Sequence, residues 1–363
     1  MKQPNIPALR LFNQQIAMPR FEKPDEILAW LGAIQGQDYQ GAKWSVGLRL
    51  TKATDVDIEN AFTGRKILRT WLMRGTLHMV AANDINWIRT LVAPKIITGN
   101  TRRYRELELD AETLVKSNDL LVKALQSKKQ LNRKELLAFL EKNGMSTKGQ
   151  RAAYMLQRAS YDGLICQLNT VKNQPVYVLM DELPEGKKIT DRNEAVVELT
   201  KRYFTSRGPA TIQDFVWWSG LTVADTKFGL EANRSFLVEE KIGEQTYWLS
   251  AAKNSKTGNG NGVFLLPGFD EFLLGYKDRI ASLQPQFSTK WCPGNNGMFY
   301  PFVVADGLVT GIWKREITKN SMVVRIEPFY KSVQLQNGML AALAKNYSDF
   351  MGLSLASVDG PET

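Results

Sequence analysis

The sequence predicts an α+β protein of tandem winged-helix modules, each a helix-turn-helix followed by a β-wing, with a β-rich C-terminal region. Three observations predict it. The order helix, helix, two β-like runs occurs three times between Pro24 and Ser250. After Asn254 the pattern changes to short strand-like runs separated by turn residues. A local excess of Lys and Arg falls on one helix-turn-helix unit rather than being spread evenly.

The first module, residues 1–95, is the most diverged. Helical segments are expected over Pro24–Ala33, Ala42–Leu50 and Val56–Phe62, with ILRTWL and GTLHMV as wing strands. The second, residues 96–185, has the clearest signals. Asn132 is a good N-cap for RKELLAFLEKN, whose apolar Leu136, Leu137, Phe139 and Leu140 form a packing face, and Gly144 ends that helix. Ser146 or Thr147 then opens a second helix through GQRAAYMLQRASYD, Gly163 closes it, and LICQLN and PVYVLM form the wing around a polar turn. The third module, residues 186–252, repeats the order through NEAVVELTKRYFTS, TIQDFVWWSG, VADTKFGLEAN, FLVEEKI and QTYWLS. Residues 253–355 begin with the Gly-rich loop KNSKTGNGNG. Strand-like runs VFLLPGFDEFLLGY, FVVADGLVTGIWKR and SMVVRIEPF follow, then a helix around Met339–Asn346. Asp306-Gly307 is a hairpin signal, and the tail 356–363 is expected to fray.

Composition narrows the function. The 363 residues, 44% of them hydrophobic, suffice for several packed units. No apolar run approaches the roughly 20 residues of a membrane span, and MKQPNIPALRLFNQQ lacks a signal peptide's apolar stretch. A cytoplasmic protein is expected, nucleoid-associated in a bacterium, with no membrane contact. Cys166 and Cys292 have no ligands at metal spacing, and His78 is the single histidine, so neither a metal nor a histidine-dependent nucleophile is expected. No cofactor is expected. Lys and Arg number 47 against 37 Asp and Glu, a net charge of +10 that favours a polyanionic partner.

From Lys123 to Arg158 nine basic residues face only Glu135 and Glu141. In helix-turn-helix proteins the second helix faces the DNA groove. Lys148, Arg151 and Arg158 are placed there, and Arg151 and Arg158, seven apart, share a face. The plain alternative is a solvated helix face. A further basic group, Arg65, Lys66, Arg69 and Arg74, surrounds the first wing.

Four stretches together resemble the winged-helix DNA glycosylases of the AlkZ/YcaQ type, which repair alkylpurines and interstrand crosslinks. They are LGAIQGQDYQGAKWSVGLR from Leu31, ILRTWLMRGTLHMV from Ile67, LLPGFDEFLLGYKDR from Leu265 and NNGMFYPFVVADGLVTGIWKR from Asn295. The resemblance implies a C-shaped body whose basic concave face holds duplex DNA containing alkylated purines. It also implies activity centred on a Gln-x-Gln motif, here Gln35-Gly36-Gln37, where relatives usually carry a larger apolar residue in the middle. Through it Arg69, Arg74, Lys314 and Arg315 become DNA-binding candidates. The hairpin from Val303 to Trp313 is expected to approach a groove.

The residues support a catalytic role for Gln35 and Gln37 on their own terms. On an extended backbone residues two apart project to one side, so two amides could converge on one target, with Gly36 a natural place for the preceding helix to end. Alkylation at N7 makes a purine a good leaving group, so neutral amides that orient a water and face a developing sugar cation could suffice. Asp38 is a possible catalytic base, with a capping or solvent-facing role as its alternative. His78, Trp71, Trp217 and Trp218 read as packed residues. The resulting expectation is a monofunctional glycosylase acting as a monomer. The alternative is a non-enzymatic winged-helix DNA-binding protein or transcription regulator, although regulators usually present one reading head per subunit in a dimer.

Overall fold

The computed structural model describes residues 5–171, 174–252, 262–330 and 337–360. The Gly-rich run at 253–261 and the centre of the polar turn after Val171 lie outside the described residues.

Local signals set the helices. Thr54 and Asp57 form a reciprocal capping box at the start of helix Asp55–Thr63. Asn132 and Glu135 do the same for helix Arg133–Lys142, each side chain accepting from the other's backbone N–H, at 3.0 and 2.8 Å. Thr211 with Asp214 and Thr222 with Asp225 cap helices Ile212–Ser219 and Val223–Ala232. Helix Pro24–Leu31 has proline in its first turn and ends at Gly32, whose φ of 77° suits glycine.

The helix expected from Ser146 or Thr147 begins instead at Arg151. Thr147 donates through both its N–H and its hydroxyl to Glu141, and Gly149 adopts φ 59°, so the intervening residues form a turn. Lys148 therefore stands exposed in that turn, not on the helix.

The wing strands of the first two units form one antiparallel sheet. Its order is Ile34–Gln35, Leu77–Ala81, Ile67–Trp71, Ile165–Val171, Gln174–Leu179, Leu131–Asn132. The junction is the pair Arg69 and Gln167. Strands Leu237–Ile242 and Gln245–Ser250 form a separate two-stranded ribbon.

The C-terminal sheet has the order Ser354–Asp359, Ser321–Pro328, Leu308–Thr318, Phe302–Ala305, Val263–Leu266. The structure corrects two readings here. DEFLLGY is not strand: Asp270 caps a short helix, Glu271–Leu274. Residues expected to fray from Ala356 instead pair in parallel with the neighbouring strand through Asp359. The Asp306-Gly307 turn has φ of 50° and 84° at its two central residues, as a two-residue hairpin requires, but its tip is seated on the N-terminal helix Ile6–Asn13. A Cβ on Gly307 would overlap Pro7, so the tip packs on that helix, while Asp306 and Leu308 stay exposed.

The cores join chain segments far apart in sequence. Ile27, Ile34, Phe62 and Ile67 pack with Leu265, Trp313, Tyr347 and Phe350. Burying each such side chain is worth roughly 1.5–3 kcal/mol. Outside that core cluster, Glu271 accepts the Gln35 N–H and Asp270 accepts from Ser45 and Arg49.

Candidate active site

Gln35 ends a two-residue edge strand opposite His78, and Gly36 continues the pairing by donating its N–H to Leu77 O at 2.7 Å. The helix terminus expected at Gly36 lies four residues earlier, at Gly32. Both glutamine side chains reach the same turn. Gln35 Oε1 accepts from Arg74 Nη2 at 3.0 Å and from Thr76 Oγ at 3.3 Å, while Gln37 Oε1 lies 3.5 Å from the Leu77 N–H. The two differ in access: Gln35 is 5% exposed and Gln37 is exposed. Because arginine only donates, the Gln35 atom facing Arg74 is its oxygen.

Three charged side chains immobilise the backbone through the motif, and a fourth holds the Gln35 side chain. Arg207 donates to Leu31 O at 2.6 Å and to Ala33 O at 2.9 Å. Glu271 accepts the Gln35 N–H at 2.9 Å on Oε1, and on Oε2 it accepts from Arg207 and from Trp218 Nε1. Arg69 donates to Gly36 O at 2.7 Å and to Gln37 O at 3.3 Å, and its third nitrogen reaches Gln167 Oε1 at 2.6 Å. Arg74, at φ 56°, spans Trp218 O and the Gln35 side chain. Burial opposes ionisation of Glu271, but Arg207 and Arg74 outweigh it and hold the carboxyl below its ordinary range. Burial lowers the Arg74 pKa to about 10, leaving it charged near neutrality.

Gly36 fits because its neighbour is backbone. A Cβ there would lie 3.1 Å from His78 C and 3.2 Å from Met79 N. Gly36→Ala is therefore expected to destabilise the fold by about 1–3 kcal/mol, the usual range for overpacking. A thermal midpoint at or above wild type would show that the strand yields.

His78 is fully buried, with Nδ1 3.0 Å from Thr76 O. Burial, with Arg74 nearby, lowers its pKa to about 3, so it is neutral near pH 7 and takes no part in proton transfer there. Unfolding restores a pKa near 6.5, so the unfolded chain binds the extra proton. This contribution is complete above the unfolded value and is lost as pH falls from 6.5 towards 3. His78→Gln is expected to flatten that part of the midpoint-versus-pH curve; an unchanged slope would contradict the assignment.

Asp38 precedes helix Tyr39–Gly47 without making a side-chain cap bond, and is half-buried. Its carboxylate lies over Gly41, where a Cβ would overlap Oδ2. It is next to the motif and near the positive end of the helix.

The seven basic candidates are not brought together. Arg69, 7% exposed, and Arg74 are committed to holding the motif, which corrects their expected part in phosphate contact. Arg151 donates to Ser146 O, Leu107 O and Glu108 O, and Arg158 donates to both oxygens of Asp162, so these two tie the second unit together. Lys148 is exposed. On the other sheet Lys314 pairs with Glu327 at 2.6 Å, and the Arg315 guanidinium lies 5.5 Å from the Tyr347 ring centre.

Glu271 and Arg207 were not singled out in the sequence. The available signal was two adjacent acids inside the apolar run FDEFLLGY, since buried carboxylates require cationic partners. Arg49 meets the other one, Asp270, at 2.6 Å, with both side chains fully buried.

Comparison with known proteins identifies the family and the fold. The family described as DNA glycosylase AlkZ-like matches residues 28–350. An interstrand DNA cross-link repair glycosylase of Streptomyces sahachiroi is 24% identical over 348 residues, covering 86% of this chain and 87% of that protein. The structure of Streptomyces sahachiroi DNA glycosylase AlkZ aligns with a TM-score of 0.80 at 21% identity, covering 98% of each chain.

Proposed function

Because the chain belongs to the AlkZ-like DNA glycosylase family, we propose that it hydrolyses the N-glycosidic bond of N7-alkylated purines in duplex DNA, with Gln37 as the group that meets the reacting centre. The observation that carries this reading is the contrast within the motif: its backbone is anchored by Glu271 and Arg69, yet the Gln37 side chain is exposed.

Gln37 Oε1 accepts a hydrogen bond from the attacking water and faces the positive charge that grows on the sugar. The water oxygen bonds to C1′ as the C1′–N9 bond breaks, and the electron pair of that bond neutralises the cationic purine. The proton released by the water passes to solvent or to Asp38. Gln35 has its oxygen committed to Arg74 and Thr76, so it contributes its NH2 as a donor and fixes the approach of Gln37. Neutral amides are weak bases, which restricts the reaction to bases that already leave easily.

The reaction is monofunctional: water, not a lysine, attacks the sugar. The similarity to the interstrand DNA cross-link repair glycosylase of Streptomyces sahachiroi supports extension to interstrand crosslinks, and the protein acts as a monomer. Lys148 contacts phosphate, and Lys148→Ala is expected to reduce the slope of log binding constant against log salt by about 1. A slope equal to wild type would move the contact elsewhere. The activity itself is tested with a duplex carrying one N7-methylguanine. Free 7-methylguanine, an alkali-labile site and no borohydride-trapped protein–DNA adduct are expected. A trapped adduct would overturn the hydrolytic route, and an intact base would overturn the reading.

A further inference from the structure

Trp217, half-buried, links the catalytic motif to a second arginine. The Arg74 guanidinium, which holds Gln35, lies 4.6 Å from the Trp217 ring centre, and the Arg279 guanidinium lies 5.0 Å from the same centre. Arg279 is also 5.5 Å from the ring centre of Trp291. Its Nε donates to Leu273 O at 2.9 Å, which fixes the guanidinium plane.

Among the described residues Arg279 forms no ion pair, and its two terminal nitrogens make no hydrogen bond. The nearby acids are occupied. Asp214 accepts the N–H groups of Lys277 and Asp278 on one oxygen, and on the other it accepts from Thr211 and lies 4.0 Å from Arg10. Asp278 is exposed and accepts the Ile280 N–H. Burial disfavours the charged form of Arg279, with Asp214 opposing that effect, so its pKa is lowered. An oriented, partly desolvated guanidinium with free paired N–H groups matches the geometry of a phosphate.

We propose that Arg279, stacked on Trp217, is a phosphate clamp that grips a phosphodiester of the damaged strand beside the target nucleotide. This rests on the reading of Gln35 and Gln37 as the glycosylase centre. Arg279 does not touch the reacting atoms. It positions the strand so that the sugar of the damaged nucleotide arrives at Gln37. Trp217 holds the guanidinium in place through the cation–π contact, and Arg74, on the same ring, adds positive charge without releasing Gln35.

The test uses the full chain and duplexes containing a non-cleavable 2′-fluoro N7-methylguanine nucleotide, with one phosphate at a time replaced by a neutral methylphosphonate. Arg279→Gln is expected to weaken binding roughly ten- to a hundredfold, as for loss of a charge-assisted contact. One methylphosphonate within about two nucleotides of the lesion should weaken wild type by a similar factor and have little further effect on Arg279→Gln, the coupling expected of direct partners. Arg279→Lys should fall between the two, because it keeps the charge and loses the fork. If Arg279→Gln does not fold, the wild-type scan and Arg279→Lys still decide. The clamp is overturned if Arg279→Gln binds as wild type, or if no linkage near the lesion responds. A cleavable duplex assayed in parallel separates the two ideas. Excision without phosphate coupling removes only the clamp, whereas coupling without excision keeps the clamp and removes the glycosylase reading.

Discussion

Gln37→Ala is expected to lower the single-turnover rate of base release by about 100- to 1,000-fold, the usual cost of one preorganised polar group at a developing charge. Affinity for duplex DNA should change little, because the side chain is exposed and only weakly tied to Leu77. This separation follows from the anchoring. Arg69 holds the Gly36 and Gln37 carbonyls, and Glu271 holds the Gln35 N–H, so truncating Gln37 leaves the backbone in place. Gln35→Ala should also slow release, but it should lower stability as well, since Arg74 and Thr76 lose a buried acceptor. A Gln37→Ala rate equal to wild type, with the fold verified, would take the motif out of the mechanism.

The second large effect concerns the ion pair beneath the motif. Arg207 and Glu271 are both fully buried and 2.8 Å apart. Glu271→Gln leaves the guanidinium facing an amide that cannot neutralise it, and breaking such a pair costs about 3–5 kcal/mol. Glu271→Gln should therefore lower the unfolding free energy by that amount, read as a lower denaturant midpoint at unchanged slope, and slow base release, since the Gln35 backbone loses its brace. The folded carboxyl pKa is depressed, so this contribution is present above the unfolded value of 4.5 and is lost as pH falls through the folded one. Combining Glu271→Gln with Arg207→Met should destabilise less than the two single losses together, because the stranded charge is gone. Losses that simply add would show that the two side chains act separately.

The helices and strands were legible where local chemistry decides them. Asn132, Gly144 and Asp306-Gly307 each act within a few residues, and the structure shows them in the roles their chemistry implies. Readings failed where a distant partner decides. DEFLLGY has the composition of a strand, but Asp270 and Glu271 are drawn inward by Arg49 and Arg207, and the segment turns into a short helix. The tail looks unstructured until the edge of strand Ser321–Pro328 offers it partners. The same division holds at the site. The Gln-x-Gln motif could be found in the chain, whereas the contacts of Arg69 and Arg74 could not. Both look like surface cations in sequence, and only the fold shows that their acceptors include Gly36 O, Gln37 O and Gln35 Oε1.

The most direct test of the central claim is a single-turnover assay on a duplex with one N7-methylguanine, quantifying released 7-methylguanine for wild type and for Gln35→Ala combined with Gln37→Ala. The account predicts release by wild type that is lost, by about 100-fold or more, in the double variant while DNA binding persists. Equal release by the two proteins, or none by wild type that binds the duplex, would contradict it.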